Sequence, residues 1–461
     1  MSFSLVSDFG KADKSSWKKQ VEQELRGRTY EDTWYKPAKN VSLEPYFVAD
    51  ETENNSLIAD IRACQKKNPG WLTIPSIRFN DPKVTNELMR YQLDRGADGM
   101  WISASETGLL NLELSKTLHT IRLTDTPIFL DSSENPSQLI AELSRNSAYY
   151  LKGGLVYDPL ANWMKHGKPY EAAVQAVAEG MSLTKAMKEF RSYKVESHVF
   201  HEAGADVVQE LAFTMASFVT YMDLLTGQGV SALLAANRVV FSIAIGTNYL
   251  TELAKLRALR YLYRQVTRAY GLPDELCQAF IQAQSSRFYQ SVHAPHTNLV
   301  RHTAEAMSAV SGGCDALTIL PFDQASSEPS EFSERIARNI SLVLKHESYL
   351  EKVADPAGGA YYLELLTQKI ATASWDLFLE IEEKGGLVPA FQENFIQDRL
   401  AVAWTDQKAA YQSTEKRIVG QPKQHTLSET GLPERKENKR SSVLISTLNL
   451  LPSYTLDDLF A

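Results

Sequence analysis

The stretch VVFSIAIGTNYLTELAKLRALRYLYRQVTRAY, Val239 to Tyr270, holds the pattern that decides the fold. It opens with a short apolar run rich in β-branched residues, the composition of a strand covered on both faces. From Asn248 the apolar residues recur at helical spacing as far as Tyr270. A strand followed at once by a helix long enough for a crossover is one βα unit of a parallel sheet.

The same alternation extends in both directions. Toward the N-terminus lie LTIPSIRF from Leu72, DGMWISA from Asp98, PIFLDS from Pro127, GGLVYDP from Gly153 and YKVESHVF from Tyr193. Toward the C-terminus lie CQAFIQAQ from Cys277 and ALTILPFD from Ala316. Helical patterns separate them, among them Ser137 to Arg145, Tyr170 to Phe190 and Ala205 to Leu225. Eight strand runs are the number that closes a ring, so the chain reads as α/β class, a (β/α)8 TIM barrel. An open doubly wound sheet is the competing topology, but no Gly-x-Gly-x-x-Gly turn follows the first strand.

Three regions result: residues 1–70, 71–390 and 391–461. The first holds an amphipathic helix, Ser15 to Leu25, with Trp17, Val21 and Leu25 on one face. An aperiodic arm from Thr29 to Asn55 follows it, rich in aromatics and expected to lie across a partner's surface. The second is the barrel, with helices Phe332 to His346 and Leu366 to Lys384 packed on it. The third is a helix and a polar tail ending in STLNLLPSYTLDDLFA, expected to dock on a partner.

With 461 residues, 44% hydrophobic and 23% charged, the chain can bury a large core. It has no apolar run of membrane-spanning length and no basic stretch leading an apolar one at its start, so a cytoplasmic protein is expected. A net charge of −8, spread along the chain, gives no footprint for nucleic acid. Cys64, Cys277 and Cys314 stand far apart without metal or disulfide spacing and read as buried reduced thiols.

In a barrel the reacting groups sit at the C-terminal ends of strands. The densest candidate is SHVFHEAGAD, Ser197 to Asp206. His198 and His201 could act as acid or base, with Glu202 orienting one of them. Taken as strand residues three apart they point to opposite faces, which argues against a shared metal. His293, His296 and His302 lack metal-ligand spacing, and no nucleophile elbow or phosphate-binding lysine loop occurs.

Several segments resemble the methylmalonyl-CoA mutase family: HEAGAD from His201, IGTNYLTELAKLRALRYL from Ile245, NLVRHTAEAMSAVSGGCDAL from Asn298, SERIARNISLVLKHESYLEKVADPAGGAYYLE from Ser333 and IEEKGG from Ile381. They occur in family order across Tyr193 to Gly386. The resemblance implies a barrel through which coenzyme A threads, followed by a cobalamin-binding domain.

The departures carry as much information. Where catalytic members have Gly-Tyr-His, this chain has Ser197, His198 and Val199, so the thioester contact falls on an apolar side chain. Losing such a donor costs on the order of 3 kcal/mol of transition-state stabilisation. The radical-site tyrosine of the first strand has no counterpart in LTIPSIRFN, and the arginine that grips the substrate carboxylate is replaced by His166. No histidine here follows an aspartate by two positions, as the cobalt-ligating motif requires, and only 75 residues follow Gly386.

The resemblance therefore implies the non-catalytic small subunit of a heterodimeric mutase, with no catalytic residue, metal or cofactor of its own and adenosylcobalamin on a large catalytic subunit. Its residual substrate pocket would comprise His166, His198, Val199, His201, Gln284 and Ser286. Two alternatives remain: an active mutase subunit that uses a separate cobalamin protein, and a barrel that binds coenzyme A or an acyl-CoA without chemistry, with Gln284, Ser285, Ser286, Arg287, His293 and His296 as its polar groups.

Overall fold

The computed structural model describes residues 13–103, 113–131, 151–413, 416–419 and 448–460. The expected helix from Ser137 to Arg145 lies outside them.

The strand pairings run round a ring of eight positions, all parallel. The first position is broken in two, β3 (Leu72–Thr73) and β4 (Ser76–Arg78). Pro75 between them has no N–H to give to a ladder. The chain nevertheless stays in register, with Ile74 N donating to Leu317 O (3.0 Å) and Trp101 N to Pro75 O (3.0 Å). From β4 the ladder passes through β5 (Met100–Ser103), β6 (Ile128–Asp131) and β7 (Gly153–Leu155) to β8 (Phe190–Arg191). The fifth position is likewise split at Ser192, and β9 (Tyr193–Glu196) continues through β10 (Val239–Ile245) and β11 (Ile281–Ser285) to β12 (Ala316–Thr318). That strand pairs back onto β3. The antiparallel hairpin β1 (Tyr35–Ala38) and β2 (Val41–Leu43) stands apart from the ring.

At β7 the backbones approach closely. Gly153 and Gly154 have φ of +95° and +151°, and a Cβ at either would sit 2.2 Å and 1.9 Å from the carbonyl oxygens of Ile128 and Arg191. Only glycine permits that conformation and that approach.

Helices wrap the ring where periodicity predicts them, at Glu171–Leu183, Val207–Gly227, Tyr249–Ala269, Glu331–His346 and Tyr361–Glu383, and a further one spans Pro295–Ser311. Local chemistry starts three of them, with Ser330 accepting from Ser333 N at the start of Glu331–His346. Asp206 accepts from Val208 N and Gln209 N, and Asn248 accepts from Thr251 N, each satisfying amides that the helix leaves unpaired.

One expectation needs correction, and the two segments expected to meet a partner also pack on this chain itself. The fifth strand ends at Glu196, and His198–His201 form one helical turn instead of continuing it. The arm covers this chain's own helices: Tyr35 Oη lies 2.9 Å from Thr251 Oγ1, Lys369 Nζ donates to Ser42 O (2.8 Å), and Phe47 packs on Tyr362. The C-terminal segment docks on its own barrel, burying Leu451, Leu456 and Leu459. Tyr454 stacks flat on Trp404 with centroids 4.0 Å apart, Leu451 N donates to Met164 O and Leu456 N donates to Phe288 O.

Strand alternation divides the core. Met100, Ile102, Ile128, Leu130 and Phe190 face outward to the helices. Ile74, Trp101, Phe129, Val156, Val240 and Ala316 form a separate cluster with Leu72 and Phe280 on the inner side. Trp101 and Phe129 are 4% and 2% exposed, so the barrel axis is plugged by side chains. A threaded ligand has no path through these residues. Among the described residues no helix is long and apolar enough to cross a membrane, and all three cysteines are free and buried.

Candidate functional site

One layer above the plug, at the C-terminal ends of the strands, lies a cavity of about 230 Å³. Its walls come from positions two residues beyond the plug on several strands: Ser103 after Trp101, Asp131 after Phe129 and Ser242 after Val240. Lys194, Glu196, His198 and Gln284 complete the interior, and Lys165, His166, Glu202 and Arg287 are also among its lining.

The floor is an ion-pair network. Lys194 Nζ lies 3.0 and 2.9 Å from the two carboxylate oxygens of Asp131 and 2.8 Å from Glu196 Oε2, and Trp101 Nε1 donates to Asp131 (3.0 Å). Burial opposes the Lys194 charge, but Asp131 and Glu196 outweigh it and hold the ammonium above its ordinary pKa. Burial likewise pushes Glu196 upward, yet Lys194 and then His198 bring it down to about 2. Asp158 is pushed up to about 7 by burial and then by the Glu196 charge; it accepts from Tyr221 Oη (2.6 Å), Ala161 N (2.9 Å) and Glu196 N (2.8 Å).

A second pair closes one wall. Lys165 Nζ lies 2.8 Å from Glu202 Oε2, which also accepts from Ser453 Oγ (2.9 Å) of the C-terminal segment. Burial works against the Glu202 charge, and Lys165 and Arg287 overcome it, lowering the carboxyl to about 2. His198 Nε2 stands 3.3 Å from Ser242 Oγ, and burial lowers its pKa to about 4, which keeps it neutral.

The six pocket residues expected from the sequence separate into two groups. His166, His198 and Gln284 line the cavity. Val199 is packed in the main hydrophobic core, 2% exposed, and is not part of the lining. His201 and Ser286 lie behind the wall. His201 Nε2 is 2.8 Å from Ser286 Oγ and its Nδ1 is 3.3 Å from Glu210 Oε2, distances like those of a hydrolytic triad. Ser286 is fully buried, however, and its Oγ accepts from Phe288 N (3.1 Å) and Tyr289 N (3.4 Å). Glu210 is committed to Lys255 and Ser197. This trio holds the loop after β11 and reaches no substrate.

Sequence reasoning did not single out Asp131, Asp158, Lys194 or Glu196. The available signal was a charge at an inward position of an otherwise apolar strand, in FLD and in YKVE. What the arrangement can do is limited by its charges, which largely satisfy one another, and by a volume below the roughly 300 Å³ at which small-molecule sites usually begin.

The methylmalonyl-CoA mutase family model matches residues 135–445. A methylmalonyl-CoA mutase small subunit of Streptomyces virginiae is 30% identical over 90% of this chain and 71% of its own length. One from Porphyromonas gingivalis is 30% identical over 85% and 66%, and a methylmalonyl-CoA mutase of Rhizobium meliloti is 29% identical over 88% and 63%. The chain thus spans about two thirds of the length of these relatives, and it belongs to the methylmalonyl-CoA mutase family.

Proposed function

We propose that this chain is the non-catalytic small subunit of a heterodimeric, adenosylcobalamin-dependent methylmalonyl-CoA mutase of propionate metabolism, acting in the cytoplasm. The large subunit would hold the cofactor and interconvert methylmalonyl-CoA and succinyl-CoA. The observation that carries this reading is the barrel interior. Trp101, Phe129 and Phe280 plug the axis that coenzyme A would have to thread, and the Lys194 network lines the floor of the small cavity above them with charges that satisfy one another. The described part of the mouth offers no prepared seat for a corrin either: Ser453 and Tyr454 bond to Glu202 in one wall, and the described histidines there, His166 and His198, lie in the cavity lining.

The role left to such a barrel is to stabilise its partner by mass action. The test is to purify the large subunit with and without this chain, measuring turnover per large subunit and its thermal midpoint. Both should rise when this chain is added, and this chain alone with adenosylcobalamin should show no turnover. A large subunit that is fully active and equally stable alone would overturn the proposal. The plug also speaks against an active mutase subunit and a coenzyme A binding barrel.

A further inference from the structure

We propose that Glu305 is a proton-controlled catch for the C-terminal segment: while its carboxyl is neutral, residues 448–460 stay seated on the loop after β11, and when it ionises they lift from the barrel mouth. Glu305 lies in the helix Pro295–Ser311 and is 1% exposed. Its Oε1 is buried without a hydrogen-bond partner, and its Oε2 accepts a long bond from Ser286 N (3.2 Å), an amide that also donates to Ile245 O. No cation pairs with it among the described residues. Lys255 pairs with Glu210 and Glu252, and Arg301, one turn away, bonds Asn298 Oδ1 and Val419 O. A carboxylate so placed is an isolated buried charge, which is far less favourable than a neutral acid in the same position. Burial accordingly holds this carboxyl well above its ordinary range, against the pull of the Ser286 amide; the Glu252 charge adds to the effect and Arg301 opposes it.

Around Glu305 stand Glu252 and Lys255 of the helix Tyr249–Ala269, Glu210 of Val207–Gly227, Arg301 of its own helix, Tyr289 of the loop and Tyr411 of Phe395–Gln412, with Tyr35 of the arm beyond. Tyr289 and Tyr411 also border the cluster of Phe288, Leu456 and Leu459, where Tyr411 meets the Phe460 ring at 6.2 Å. Ser286 ties the acid to that cluster, since its N bonds Glu305 and its Oγ accepts from Phe288 N and Tyr289 N. Phe288 O in turn accepts from Leu456 N, and Ser453 and Tyr454 bond Glu202 in the cavity wall. A charge formed on Glu305 needs water. The C-terminal segment buries little besides its three leucines, so its departure admits water with less loss of packing than any opening of the barrel. The neutral acid belongs to the closed state, so closure is complete at low pH and is lost as pH rises through the raised value. This inference does not depend on pairing with a large subunit.

Hydrogen exchange of the full chain, with protection corrected for the intrinsic rate at each pH, tests it between about pH 5 and 9. In the parent, opening of 448–460 and 286–290 should be constant at the acid end and then rise by up to about tenfold per pH unit, the slope of one proton. Glu305→Gln keeps the shape and cannot ionise, so it should remove the rise. Arg301→Gln, outside the core, keeps the test decisive if that variant does not fold: losing the cation should move the rise to higher pH. A parent profile flat over the whole range, a rise that persists unchanged in Glu305→Gln, or one that stays in place in Arg301→Gln would each overturn the proposal.

Discussion

Trp101 and Phe129 stack across neighbouring strands with ring centroids 5.4 Å apart and planes 24° from parallel, both on the inner side of the barrel. This contact closes the axis. Large-to-small substitution in such a core costs about 3–5 kcal/mol, so Phe129→Ala should lower the thermal midpoint by several degrees or more. An unchanged midpoint would mean that the axis is not packed.

Lys194, itself buried, neutralises two partly buried carboxylates at once. Removing one partner of a buried pair leaves an uncompensated charge, so Lys194→Met should destabilise by about 3–5 kcal/mol. Neutralising all three groups, with Lys194→Met, Asp131→Asn and Glu196→Gln together, should recover much of the loss. Urea midpoints for the single and triple variants measure both, and a triple variant no better than the single one would contradict the network.

Restoring the family's histidine at Val199 should not restore chemistry, because that side chain sits in the core and not in the cavity. Val199→His would bury a polar ring without a prepared partner, at about 1–3 kcal/mol. The expected outcome is a less stable chain with no turnover in the presence of adenosylcobalamin; measurable turnover would place position 199 in an active site after all.

Deleting residues 448–461 should uncover Phe288 and Trp404 and remove the buried Leu451, Leu456 and Leu459. Each such leucine contributes about 1.5–3 kcal/mol. Hydrogen exchange should show lost protection in 286–290, where Phe288 O accepts from Leu456 N. Protection that survives the deletion would show that the segment contributes little.

His302 is 1% exposed, and burial lowers its pKa from 6.5 to about 4. The unfolded chain takes up this proton as pH falls through 6.5, while the folded chain does not until about 4. Stability from this residue is therefore full above 6.5 and is lost across that window, by roughly 3 kcal/mol at about 1.4 kcal/mol per pKa unit. Other groups titrate there too, notably Asp158, whose raised pKa acts in the opposite sense. The measurement is thus a difference: His302→Gln should flatten the stability profile between pH 6.5 and 4, and parallel profiles would refute the assignment.

Much of this protein was legible in its sequence for a local reason. Strand runs such as VVFSIAI and helices such as Tyr249–Ala269 announce themselves through spacing alone, and Asp206 and Asn248 mark the starts of two helices by bonding amides only two or three residues away. The ring of eight follows from that alternation, and the family follows from segments read in order. What the sequence left open depended on residues distant along the chain. The β-rich composition of YKVESHVF could not reveal that the strand stops at Glu196, where Ser197 instead bonds to Glu210 and to Ala244 N. Nor could it show that Lys194 meets an aspartate 63 residues away, that Val199 turns into the core, or that the apolar C-terminus finds its surface on Trp404 and Phe288. Spacing along one element reports which faces are apolar. Which residues of different strands converge at the barrel mouth, and whether they leave room for a substrate, is settled only when the ring closes and brings them within a few ångströms.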